Sequence, residues 1–327
     1  MARYSILLGS RVYKSLFPPP PPPPQACWDK LPQINFPKRP VYDKVKFVLE
    51  TANLTLPEIQ PQANVYFIPK PFITIKSVER GKETAQKLGF NPEGRKLSDT
   101  VYLFEKQGKT PSTLTLNIVT NSFSVSYDLA NDPNLVLGKA SVPQTAINKA
   151  QNFLAKAGLL PTDVSTGTPE TEFLKLEGNQ FVGVISLSEA DLIKVNLFRR
   201  NYKELPVKTP NPKQSNIWFI ISNDILAGEY RHFDIDEGSG CTYSLKTAQD
   251  AWDDLNKGKG YIANFGNNQT DAIIKIRKIY LAYYDSGEYQ EYLQPVIVFE
   301  GDNEFTAYVP AITYDFYSGD QAVTPTP

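Results

Sequence analysis

Chemistry in this chain has few tools to draw on: one histidine, His232, two cysteines, Cys27 and Cys241, and acidic residues gathered in turns. His232 stands in an alternating stretch beside Arg231, between Tyr230 and Phe233. A hydrolytic triad needs a nucleophile and a carboxylate to converge on such a ring, and the local spacing supplies neither, so a structural role is expected. Cys27 and Cys241 are too far apart in sequence for a C-x-x-C zinc site. They pair only in an oxidising compartment and only with their Cα atoms within about 7 Å. Cys27 falls in a proline-rich stretch expected to be mobile, which weighs against pairing.

The acidic stretch Asp234-Ile235-Asp236-Glu237-Gly238 has the beginnings of a calcium loop. Gly238, however, takes a ligand position, and Leu245 stands where the bidentate glutamate belongs, so a solvated loop is expected. Gly238-Ser239-Gly240-Cys241 and Gly258-Lys259-Gly260 lack the spacing that cradles phosphate and read as loop closures. Asp234, Asp236, Glu300 and Asp302 are the acids from which a glycoside-cleaving pair, about 5–10 Å apart, would have to be drawn. The sequence therefore predicts no catalytic residue, no cofactor and no metal site. Tyr280, Tyr283, Tyr284, Tyr289 and Tyr292 form an aromatic row able to present rings with hydroxyls to a partner. The same row suits a sheet covered on both faces.

The elements that position these residues are written by periodicity. Apolar residues make up 41% of the chain and aromatics 12%, a balance that favours half-buried strands over a helical bundle. Three amphipathic helices are predicted, over about 75–88, 142–158 and 245–255, closed by Gly89, Gly158 and Gly258. Ser141 and Gln144 make a capping box for the second. Alternating strands follow each helix, at 100–106, 114–119 and 123–129 after the first, at 173–176, 181–187, 193–198, 217–222 and 226–233 after the second, and at 273–284, 293–300 and 305–312 after the third. The expected fold class is α+β, a repeated unit of one helix packed on an antiparallel β-meander.

The N-terminus reads as a tether. Residues 1–17 are apolar but carry Arg3, Arg11 and Lys14, short of the roughly 20 apolar residues a spanning helix needs. Pro18 to Pro24 then form a stiff spacer of about 20 Å. The expected organisation is 1–17 a truncated membrane anchor or leader, 18–40 a proline-rich linker, 41–139 a first α+β domain, 140–317 a second domain of two repeats, and 318–327 a disordered tail.

The passage Val195-Asn196-Leu197-Phe198-Arg199-Arg200-Asn201-Tyr202-Lys203-Glu204-Leu205-Pro206-Val207 resembles the strand-then-LPV segment of PepSY-like domains, and residues 141–312 resemble the extracytoplasmic regulators of the YycH/YycI type. The resemblance implies PepSY-like external units behind a membrane helix, acting on a sensor kinase. The short leader and the proline run depart from that pattern.

Lys plus Arg number 34 against 35 for Asp plus Glu, so no global field draws the chain to nucleic acid. The function expected is a non-catalytic, membrane-tethered extracytoplasmic module that binds a protein or cell-envelope ligand and touches the membrane only through its N-terminus. The alternatives are an envelope-polymer hydrolase using loop carboxylates and a PepSY-type inhibitor of an exported peptidase.

Overall fold

The computed structural model describes residues 22–38, 40, 42, 44–106, 111–127, 139–178 and 180–318. The expected leader, the prolines up to residue 21, the break at 131–134 and the tail from residue 319 lie outside the described residues.

In chain order the first strands are β1 (Lys46–Leu49), β2 (Gln62–Phe67), β3 (Arg95–Lys96), β4 (Val101–Lys106), β5 (Ser112–Asn117) and β6 (Phe123–Tyr127). There follow β7 (Pro169–Glu177), β8 (Gln180–Val184), β9 (Leu192–Leu197), β10 (Val207–Lys208), β11 (Ile217–Ile221) and β12 (Ile225–Tyr230). The last are β13 (Asp236–Ser244), β14 (Tyr261–Asn264), β15 (Ile273–Tyr284), β16 (Tyr292–Gly301) and β17 (Thr306–Pro310). The helices are α1 (Ser77–Lys87), α2 (Pro143–Ala157), the single turn α3 (Thr162–Ser165) and α4 (Ala248–Asn256).

These elements make two large sheets, and the described residues are β-rich, 39% strand against 16% helix. That overturns the expected fold class of helix-on-meander repeats. One sheet has nine strands in the order β3-β4-β5-β6-β12-β11-β9-β7-β8. Its central ladder, β6 on β12, joins strands from either side of the expected domain boundary at 139/140, with Ser126 opposite Ala227 and Phe123 opposite Tyr230. The other sheet has eight strands along the path β1-β15-β16-β17-β14, with β10 beside β15 and β2 bridging β16 and β13. Local periodicity locates strands but does not name their partners, which is why repeats written in sequence do not become repeats in space.

The helices follow the sequence closely. Both α1 and α2 lie on the nine-stranded sheet, where Ala85, Ala146, Ala150 and Leu154 pack against Phe104, Leu116, Phe123 and Phe219. Gly158, at φ 71°, ends α2 in the left-handed conformation that glycine adopts without a Cβ clash. The expected Ser141 cap does not form, because Val142 is the N-cap and makes no side-chain bond. The capping box belongs to α4 instead, where Thr247 and Asp250 satisfy each other's backbone N–H.

The eight-stranded sheet is apolar on both faces. Along β16, Ile297 and Phe299 point into one core with Leu255, Ile276 and Val309, while Val296 and Val298 point into another with Tyr261, Tyr284 and Tyr308. A strand buried on both sides reads as a continuous apolar run, as Pro295-Val296-Ile297-Val298-Phe299 does. Part of this covering comes from the segment expected to be a linker. Leu31 is fully buried in the first core, and Phe36 stacks on Tyr261 at 4.8 Å over the second. Backbone bonds from Ala26 to Thr242 and from Leu31 to Phe316 fix the strap, and Gln294 holds the carbonyl of Pro32. Burying a leucine contributes about 1.5–3 kcal/mol, which offsets part of the cost of ordering the strap and leaves the rest to its other anchors. Cys27 and Cys241 are joined in a disulfide with their Cα atoms 6.0 Å apart, against the expectation that a mobile Cys27 would stay free.

Candidate functional site

The densest concentration of ionisable groups lies at the seam between the sheets, and His232 is part of it. It follows β12, Asp163 sits on α3, Arg199 and Tyr202 follow β9, and Asp285 follows β15. Arg199 is the hub. Its Nη1 pairs with Asp163 Oδ2, its Nε lies 2.6 Å from Asp285 Oδ2, and its Nη2 donates to the Phe233 carbonyl at 2.8 Å. Asp163 accepts from Tyr202 at 2.9 Å on one oxygen and lies 3.0 Å from His232 Nε2 on the other. Burial pushes the Asp163 carboxyl up, but the His232 hydrogen bond and the Arg199 charge outweigh it and hold the group well below the usual carboxylate range. An ionised carboxylate only accepts, so His232 must carry its proton on Nε2. Burial and then the Asp163 charge raise the Tyr202 phenol above its ordinary value, so it remains a donor.

This arrangement is closed. The other ring nitrogen of His232 faces Asp234 Oδ1 at 3.6 Å, so both nitrogens look at carboxylates. Ser215, on the wall of the adjoining cavity, spends its hydroxyl on the Leu197 carbonyl at 2.6 Å and accepts from the Ile217 amide. That cavity holds ≈ 10 Å³, about one water molecule and no substrate. Arg199 and Asp163 side chains are 6% and 10% exposed, so the cluster acts as an ionic strut tying α3 and the nine-stranded sheet to the end of β15.

A second buried pair lies within the eight-stranded sheet's own layer. Lys246 Nζ meets Asp254 Oδ2 at 2.9 Å and stands over the Tyr314 ring at 3.9 Å, while Tyr314 donates to the same carboxylate oxygen at 2.6 Å. Burial depresses the Lys246 ammonium. Burial raises Asp254, but bonds from Tyr314 and Lys246 outweigh this and lower it. The pair fastens α4 to the C-terminal turn at Tyr314–Phe316.

The residues singled out in sequence are scattered by the fold. Tyr283, Tyr284 and Tyr292 are buried, so they pack the sheet and do not form the expected partner-binding surface. Tyr283 donates to the Asn64 carbonyl at 2.9 Å, and Tyr292 packs on Trp28 at 4.9 Å. Tyr289 is half-buried against Phe233 at 5.9 Å, and half-buried Tyr280 donates to Glu300. The physical reason is the strap and the seam, which cover the faces a bare sheet would expose. The four candidate carboxylates also have separate employments. Asp302 grips Arg277 through both oxygens, Glu300 takes Tyr280, Asp236 accepts the Gly238 amide, and Asp234 faces His232. Among the described residues, no three His, Cys, Asp or Glu gather as a metal site. Gly240 belongs to β13, where an added Cβ would lie 2.9 Å from Asn64 and Tyr66 on the neighbouring strand, so close packing explains that glycine. Nothing in the sequence sets Asp163, Tyr202 or Asp285 apart from other polar residues in turns. The only sequence signal was the double arginine at 199–200, inside the passage that carries the PepSY resemblance.

No family model and no curated protein matches the chain. Among solved structures, it is similar to an uncharacterized protein from Eubacterium rectale ATCC 33656, with 12% identity over 80% of this chain and 85% of that one, at a TM-score of 0.36.

Proposed function

We propose that this chain is an exported, non-catalytic binding module, working on the outer side of a membrane and held there by residues N-terminal to the strap. The disulfide between Cys27 and Cys241 carries the reading, because such a bond persists in oxidising compartments and is rare in a reducing cytosol. The closed strut supports the non-catalytic part: its histidine, carboxylates and arginine satisfy one another and leave room for about one water. Among the described residues, no helix is long and apolar enough to cross a membrane. The anchor in this reading is the leader expected from the sequence at residues 1–17.

The surface offered to a partner is then the segment entering α1 and not the tyrosine row. Phe72, Ile73 and Ile75 are 75%, 58% and 102% exposed between Lys70 and Lys76, beside a groove of ≈ 440 Å³ lined by Arg80, Lys87 and Leu159. Contiguous exposed apolar residues rimmed by charge mark interaction sites.

Protease added to intact cells tests the placement. An exported chain is degraded while the cells are still whole, whereas a cytosolic chain survives until lysis and would overturn the reading.

A further inference from the structure

The nine-stranded sheet ends differently on its two sides. At one end β3 is only two residues, Arg95 and Lys96, both charged and exposed, which is how sheet edges are ordinarily kept from pairing. At the other end β8 pairs with β7 and leaves its outer row of N–H and C=O groups open. Residues 180–188, Gln-Phe-Val-Gly-Val-Ile-Ser-Leu-Ser, contain no charge and no proline. Phe181, Val182 and Ile185 along it are 37%, 39% and 98% exposed. This edge has none of the usual protections and has the β-branched and aromatic content of a pairing strand.

We propose that two copies of this chain pair edge to edge through β8, antiparallel about a two-fold axis at Val182. The sequence is self-complementary in that register. Val182 faces Val182 of the second copy, Phe181 faces Gly183, and Val184 faces Gln180. A Cβ placed on Gly183 would meet nothing within 4 Å, so the ring of the facing Phe181 has open space to cover the glycine. Aromatic residues opposite glycine are a known means of pinning register. Two-fold symmetry sets equal charges near one another, and here the paired residues carry none: Lys175 and Glu177 stand on β7, opposite Val182 and Gln180, so the two β8 strands separate every like pair from its mate by three strand spacings, roughly 14 Å. The contact is isologous and closes as a dimer. Five paired residues cover less than the roughly 1,000 Å² of a durable interface, so the dimer is a weak one that grows with concentration. Tethering on a membrane would raise the local concentration, but the pairing itself does not depend on that reading.

The test uses the full chain, whose two cysteines are already joined, so a new cysteine is a single free thiol. Under mild oxidation, Val182→Cys should give a covalent dimer. Ile185→Cys should not, because it lies about 20 Å from its symmetry mate. Sedimentation of the unmodified chain from micromolar to millimolar concentration should show a monomer–dimer equilibrium, and Val182→Lys should weaken it at least about tenfold by setting two lysines on the axis. Cross-linking of Ile185→Cys as fast as of Val182→Cys, or a chain monomeric throughout the range, would overturn the proposal.

Discussion

On the nine-stranded sheet the apolar face is covered by α1 and α2, whose buried alanines and leucine recur at helical spacing within the same stretch of chain. On the eight-stranded sheet much of that work falls to residues 26–36, which come from 214 positions away at the disulfide and form no helix or strand of their own, only a single bridge from Leu31 to Tyr317. The first kind of cover is local and closes as the helix forms. The second is long-range, so its ordering entropy must be met by a cross-link, by the carbonyl bonds of Gln290 and Gln294, and by anchors such as Leu31. One sheet therefore depends on sequence pattern, and the other on the compartment in which the disulfide survives.

The strut at Arg199 joins the two, and breaking it should have the largest effect. Arg199→Ala leaves Asp163 and Asp285 without their cation and should cost about 3–5 kcal/mol in urea unfolding, with the single transition separating into two as the sheets lose their tie. A single unshifted transition would mean that the seam is held by its apolar contacts alone.

Removing the cross-link comes next. Cys27→Ser with Cys241→Ser should cost about 2–4 kcal/mol. Amide exchange should quicken in β2 and β13 while β11 and β12 keep their protection. Equal loss in both sheets would erase the distinction between them.

Acid sharpens the same contrast. The Asp163 carboxyl is held below its ordinary range in the folded chain, so its contribution is fully present above the unfolded value, about 3.9, and is lost as the pH falls below it. Stability should decline on acidification, and Asp163→Asn should be less stable at neutral pH but flatter across the acid range. Asp254 has the same sign in the eight-stranded layer, so Asp254→Asn should remove a separate share of the slope.

The smallest effects concern caps. Thr247→Ala should cost about 1 kcal/mol by undoing the capping box of α4, whereas Ser141→Ala should cost close to nothing, since α2 starts at Val142 without a side-chain bond.

What the sequence disclosed follows the range of the interactions. All three longer helices and their terminal glycines, Gly89, Gly158 and Gly258, are legible because their signals lie within a few residues, and β15 is read to its ends from alternation and turn residues. β13 was not legible, because its glycines look like a loop until Asn64 and Tyr66 of β2 are brought against them. The strap was hidden for a related reason: proline-rich composition indicates extension but not attachment. The strut needed four segments to converge, and nothing around Asp163 or Asp285 marks them apart from other turn acids. A structural role for His232 follows from its neighbours in sequence, but its partner Asp163 lies beyond the reach of spacing.

The most direct measurement is the state of Cys27 and Cys241 in the cell. Thiols are blocked in living cells before lysis, the chain is digested without reductant, and the peptides are weighed. One linked species containing both cysteines, with no alkylated form of either, is expected. Recovery of Cys27 and Cys241 as separate alkylated peptides would contradict it.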